Sequence, residues 1–310
     1  MEVPNPILGV FGGIELIWMI WLGGTVFAYR WAIKAFKLQS IGQLIYEDSP
    51  ESHQKKQGTP TMGGILIFLS FLIGAIILGK WTMNTLWVVA TTTMFFLIGA
   101  IDDGLALKKQ SNKGLSARTK FLAQLIVSVA MVVILCRWIL PTSWWLGSLY
   151  VFLLTGTSNA TNLTDGVDGL LGSTMLVSLA GLLVVFQSRW LYEEVFLVYM
   201  MMASISVFLV FNWQPAKLFM GDVGSLMLGG FLSAIAIASG VWWMLIGFGA
   251  IYIVETLSVI IQVISYKLTK QRVFLMTPLH HHFELMGMND RWVAILFATI
   301  QAMFSFIQVL

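Results

Sequence analysis

Charge is scarce in this sequence. Of 310 residues, 18 are Lys or Arg and 15 are Asp or Glu, so charged residues make up 11% while apolar ones reach 58%. A soluble domain of this length could not hide so much apolar surface in one core, which excludes the water-soluble globular class. There is one cysteine, Cys136, and it lies inside an apolar run. That excludes a disulfide framework and leaves a silent buried thiol as its expected role. No basic segment precedes the first apolar run, so no cleaved signal peptide is expected. The sequence also lacks a Gly-x-x-x-x-Gly-Lys-Ser/Thr loop, which excludes a P-loop ATPase. It has no internal repeat.

What the chain does have is apolar runs of membrane-spanning length. They fall near residues 10–32, 61–79, 83–101, 119–140, 144–160, 170–188, 194–212, 225–240, 241–266 and 291–310. The expected fold is all-α: one polytopic membrane domain over residues 1–310 with about ten transmembrane helices. The eighth and ninth runs are separated only by Ser239, Gly240 and the Trp pair after them. Long polar loops alternate with short ones. All of the 18 basic residues except Lys80, Arg137 and Arg189 fall on the long-loop side. The positive-inside rule makes that side cytoplasmic and puts both termini outside.

Every polar constellation lies on this one face. A transporter carries such residues at mid-membrane, where both sides reach them. One-sided placement argues instead for an enzyme that draws one substrate from the cytoplasm and the other from the bilayer. The central constellation, residues 159–172, reads NATNLTDGVDGLLG. Asp165 and Asp168 are three apart, on one face if the segment is helical. Together with Asn162 and the Thr hydroxyls they offer hard oxygens suited to a cation carrying phosphate. Asn159 and Asn162 match the glycosylation pattern but face the cytoplasm in this topology. Asp102 and Asp103 close the third span, where adjacent acids either share a cation or form a general base. The basic run after them, from Lys108 to Lys120, either attracts a polyanion or holds its loop inside.

Three more constellations complete the face. In residues 212–225, NWQPAKLFMGDVGS, Asp222 either caps a helix or holds a cation against phosphate at its N-terminus. Phe219 there is either a base-stacking ring or an interfacial anchor. Residues 278–284, PLHHHFE, hold His280, His281 and His282. Three consecutive His cannot all face one zinc ion, and donors to a diphosphate or a proton shuttle fit better. Residues 53–64 bring Lys56 and Thr hydroxyls to the membrane edge, as phosphate contacts or as an orientation signal. Glu15 and Glu255 lie within spans with no partner visible in the sequence.

In their order, GTPTMGG, the Asp pair, NLTDGVDGL, NWQPAKLFMGDVGSL and PLHHHFE resemble the polyprenyl-phosphate sugar-1-phosphate transferases. Within them they are similar to the phospho-N-acetylmuramoyl-pentapeptide branch of bacterial peptidoglycan synthesis. The resemblance implies a Mg2+-dependent enzyme of the bacterial cytoplasmic membrane, with a homodimeric state and no nucleic-acid partner. It implies transfer from UDP-MurNAc-pentapeptide to the membrane lipid undecaprenyl phosphate, giving lipid I and UMP. Carried onto this chain, Asp102 is the base acting on the lipid phosphate, with Asp103 beside it. Asp222 is the Mg2+ ligand and Asp165 a supporting acid. Phe219 and Gly221 bind uracil, while Asn162, Asp168 and Asn212 contact the nucleotide sugar. Lys56 and His280–His282 act on phosphate or sugar. Direct attack by the lipid phosphate, already an anion, is the expected route.

Overall fold

The computed structural model describes residues 15–38, 58–109 and 114–310. Every regular element among them is a helix, as hydrocarbon requires of a backbone that must satisfy its own polar groups. In chain order these are α1 (Glu15–Leu38), α2 (Gly64–Leu78), α3 (Met83–Lys108), α4 (Ala117–Ile134), α5 (Trp144–Thr164) and α6 (Leu170–Ser188). They continue with α7 (Tyr192–Asn212), α8 (Asp222–Ala238), α9 (Ala250–Thr269), α10 (Leu279–Leu285) and α11 (Asp290–Val309). A π-helical turn, Leu135–Ile139, finishes α4, and short helical turns Trp242–Met244 and Leu245–Phe248 lead into α9.

Six described helices are long and apolar enough to cross a bilayer: α3, α4 with its π turn, α6, α7, α9 and α11. The apolar helices α2 and α8 are shorter. Each of the ten expected stretches contains helix among its described residues, but the length criterion supports only these six. Three boundaries differ from expectation, each for a reason visible in the packing. Helix α3 runs on to Lys108, so the two Asp lie within a helix and not at its end. Asp102 is buried there and needs no exposed terminus. Helix α5 continues through Thr164, because Thr161 and Asn162 find partners on α8. Asp165–Asp168 is therefore a turn, and its two acids do not share a helix face. The ninth span begins as broken turns after Gly240, whose φ of 68° stops α8, and becomes continuous only at Ala250.

Helix α8 is the axis of the bundle. Each residue from Val223 to Ile237 is buried, enclosed by α2, α3, α5 and α6. Small residues permit that enclosure. Gly99 of α3 lies against the Asp222 carbonyl and Val223 Cα, and Gly64 of α2 lies against Gly224; a methyl at either position would collide with backbone. Helices α4 and α9 pack on α5, while α6 joins α7 to α11. Hydrogen bonds tie helix to helix: Thr155 to Ser128 at 2.9 Å and the Trp87 indole to the Met131 carbonyl at 2.8 Å, both buried, and the partly buried Asn159 to Gln124 at 2.6 Å. Outward-facing apolar residues such as Phe27, Ile126, Phe152, Val210 and Phe306 are exposed, as a lipid-facing surface requires.

Candidate active site

Four helices converge on one point. Asp102 and Asp103 come from α3, Lys120 from α4, Asn162 from α5 and Asp222 from the first position of α8. One carboxylate oxygen from each of Asp102, Asp103 and Asp222 lies within 4.8 Å of the others. Neighbouring residues on α3 divide the work. Asp103 turns toward α8, where its Oδ1 accepts the Asp222 N–H at 3.2 Å and its Oδ2 the Val223 N–H at 3.0 Å. It thereby caps α8 from another helix, satisfying two orphan donors with a negative charge at the positive end of the dipole. Gly221 enters that helix with φ 75°. Asp222 is thus the first helical residue and not the cap, which leaves its carboxylate free for other partners.

Those partners are Asn162 and Lys120. Asn162 Nδ2 donates to Asp222 Oδ1 at 2.9 Å and to Ser225 Oγ at 2.9 Å. The Lys120 ammonium is paired with Asp222 Oδ2 and with Asp102 Oδ2, the latter at 2.9 Å. Asp102 Oδ1 accepts the Leu115 N–H at 2.6 Å. Lys120 therefore bridges two carboxylates from different helices, a position the sequence did not reveal. Its one available signal is depth: it stands a turn inside α4, beyond the Ser116 cap, where the apolar run has begun.

Asp165 ends α5 beside this cluster and is half-buried. Burial pushes its carboxyl well above the usual range, and the negative charges of Asp222, Asp103 and Asp168 push it further the same way. Asp168 is buried, and its Oδ2 accepts the Ala216 N–H at 3.0 Å. Asn212 is also buried; it accepts the Gly169 N–H and donates to the Leu218 carbonyl, both at 2.9 Å. These two residues bind the 165–169 turn to the 213–221 loop. That loop carries Phe219 and Gly221, and residues 60–64 pin it from the other side. Phe219 N–H donates to the Pro60 carbonyl at 2.8 Å, Gly63 N–H to Phe219 at 2.8 Å and Gly64 N–H to Met220 at 2.9 Å. The Phe219 side chain is left half-buried at the loop surface.

The three His diverge. His280 is fully buried, with Nδ1 3.0 Å from Glu255 Oε1. His281 pairs with Glu284 at 2.6 Å, and His282 Nδ1 accepts the Leu275 N–H at 3.2 Å. Lys56 and His53 lie outside the described residues, as does the side chain of Glu15.

The donor set at the convergence consists of carboxylate oxygens, which suit a hard divalent cation and not a soft metal. The ammonium held between Asp102 and Asp222 shows that the same oxygens accommodate positive charge. A divalent cation held by these oxygens would neutralise phosphate, and a carboxylate left over can accept a proton.

Comparison with known proteins gives the same direction. Residues 85–240 match the family model described as Glycosyl transferase family 4, and residues 56–68 match a phospho-N-acetylmuramoyl-pentapeptide-transferase signature. The chain is 38% identical to the phospho-N-acetylmuramoyl-pentapeptide-transferase of Geobacillus thermodenitrificans over 282 residues, covering 86% of this chain and 87% of that one. It is 39% identical to the like-named protein of Halalkalibacterium halodurans over 286 residues, 87% and 88% of the two chains. For that of Shouchella clausii the identity is 40% over 282 residues, 86% and 87%.

Proposed function

Since the chain belongs to glycosyl transferase family 4, in its phospho-N-acetylmuramoyl-pentapeptide-transferase branch, we propose that the Asp102–Asp103–Asp222 convergence is where its transfer takes place. The enzyme moves phospho-MurNAc-pentapeptide from UDP-MurNAc-pentapeptide to undecaprenyl phosphate, forming lipid I and UMP. The observation that carries the assignment of the site is the meeting of three carboxylates within 4.8 Å at the N-terminus of α8.

Phosphoryl transfer asks a protein for positioning and charge neutralisation more than for covalent chemistry. Asp222, with Asp102 and Asp103 near, would hold Mg2+, which when bound neutralises the diphosphate oxygens. Asn162 fixes the Asp222 carboxylate through one oxygen. Asp102 takes the remaining proton from the lipid phosphate, and that phosphate then attacks the sugar-bearing phosphorus directly as UMP leaves. Lys120 supplies a second positive charge to the same oxygens. Phe219 stacks the uracil beside the Gly221 backbone, and Asp165 supports the acidic centre. Asp168 and Asn212 keep the two substrate-facing loops in register. His281, His282 and Lys56 contact sugar or phosphate.

The arrangement in the cell follows from the charge bias. About ten spans put both termini outside and this cluster on the cytoplasmic face; the homodimeric state is proposed from the family resemblance alone. The test is UMP release by the purified protein in detergent with undecaprenyl phosphate, Mg2+ and UDP-MurNAc-pentapeptide. Asp102→Asn and Asp222→Asn are each expected to lower kcat by about 10²–10⁴-fold, and EDTA to abolish release. Unchanged rates in both variants would remove these residues from the site. Release with UDP-GlcNAc alone would give the chain a different sugar substrate.

A further inference from the structure

A carboxylate inside a membrane-spanning helix is costly and needs a function or a partner. Glu255, fully buried in α9, has a partner that no spacing in the sequence announces. Its Oε2 accepts the backbone N–H groups of Leu279, at 2.6 Å, and His280, at 3.4 Å, while its Oε1 meets His280 Nδ1 at 3.0 Å. One side chain thus holds both the start of α10 and the ring of its second residue. An ionised Glu255 only accepts, an arrangement that would put the shared proton on Nδ1 and hold the imidazole in one orientation.

His280 is 0% exposed, and its Nε2 has no hydrogen-bond partner among the described residues. That nitrogen lies against Gly166, where a methyl group would collide with Nε2 and its neighbouring ring carbons. Gly166 follows Asp165, the acid beside the catalytic cluster, and sits in the turn that Asp168 and Asn212 tie to the Phe219 loop. The chain of contacts therefore runs from Glu255 through His280 to the backbone of the Asp165 turn. Gly is required at position 166 because the ring occupies the space of a side chain.

Resting on the transfer reading of the site, we infer that Glu255 is a positioning residue for the reaction: it locks His280 as a strut beneath Gly166 and so sets where the Asp165 turn stands relative to Asp222. Partners of this kind, one contact removed from a reacting group, typically change activity 10–100-fold when lost.

The experiment has two independent parts, both on the full-length protein in detergent. In the first, Glu255→Gln, Gly166→Ala and the double variant are compared for kcat, KM and thermal midpoint. Each single change is expected to lower kcat about 10–100-fold with KM for undecaprenyl phosphate within about twofold. The double variant should lose no more than the worse single, since both act on one unit. Multiplied losses in the double variant, a kcat within twofold of wild type in Glu255→Gln, or a loss matching only the drop in folded protein would overturn the inference. In the second part, 15N-histidine NMR of the wild type should show a His with Nδ1 protonated that changes in Glu255→Gln. A His280 protonated on Nε2 and not on Nδ1 would overturn it as well. The NMR part does not depend on turnover. An inactive wild type would therefore bring down the transfer reading, while the tautomer would still decide the strut, and it decides it also where Gly166→Ala fails to fold.

Discussion

Lys120 and Asp103 show how differently two residues of one site can be read. Asp102, Asp103 and Asp222 stand out in the sequence because acids at the edge of hydrocarbon are expensive and seldom incidental. A lysine at the same edge has ordinary explanations, in topology and in anionic lipid, so Lys120 carries no comparable signal. Only the fold brings it between Asp102 and Asp222. Lys120→Met should leave two like charges facing each other with Lys120 and Asp222 only partly shielded, 19% and 24% exposed as side chains. Breaking a fully buried pair costs about 3–5 kcal/mol; solvent screening reduces the expectation here to about 1–3 kcal/mol. The thermal midpoint should therefore fall in EDTA and recover on adding Mg2+ by more than the wild type gains. An equal Mg2+ response in both proteins would mean that Lys120 and the cation do not share these oxygens. The tie between Glu255 and His280 was illegible for a different reason, because 25 positions across a loop encode no helical or strand period.

Elements were legible as apolar runs, and their ends were not. Helix α3 outlasts its apolar stretch because its last turns are held by α8 and by Leu115, not by composition. The NLTDGVDG stretch reads as one polar loop, yet its first half belongs to α5, where Thr161 bonds the Ser225 carbonyl and Asn162 bonds Asp222. In both cases a tertiary partner moved the boundary, which local propensity does not contain. The GTPTMGG segment is the reverse case. Its glycines suggest a shaped entry to α2, and the reason is contact of Gly64 with Gly224 on α8. Gly64→Ala should destabilise by about 1–3 kcal/mol through overpacking. Gly104→Ala, whose methyl would meet open space, should be neutral or stabilising by up to about 1 kcal/mol from the helical preference of Ala. Paired denaturation midpoints check the contrast, and equal shifts would contradict the close approach of α2 to α8.

For the whole molecule, composition decided the solvent and charge asymmetry decided the expected orientation. Neither could supply the arrangement of helices around α8, since that rests on small residues meeting across the bundle. Orientation is open to direct measurement in a Cys136→Ser background. Lys109→Cys and Gln271→Cys in sealed right-side-out vesicles should resist a membrane-impermeant maleimide until the bilayer is opened, whereas Lys80→Cys and Ser143→Cys should label at once. The opposite pattern would place the carboxylates outside. The enclosure of α8 also bears on how the protein is made. The helices that surround it, α2, α3, α5 and α6, all precede it in the chain. When α8 leaves the ribosome its slot has already been synthesised, and so have Asp103, which caps it, and Lys120, which pairs with its first residue. Glu255 and His280 come later. Synthesis therefore builds the acidic centre first and adds the support for its Asp165 turn last, so a chain stalled after α8 would hold the charges of the site without the strut that aligns them.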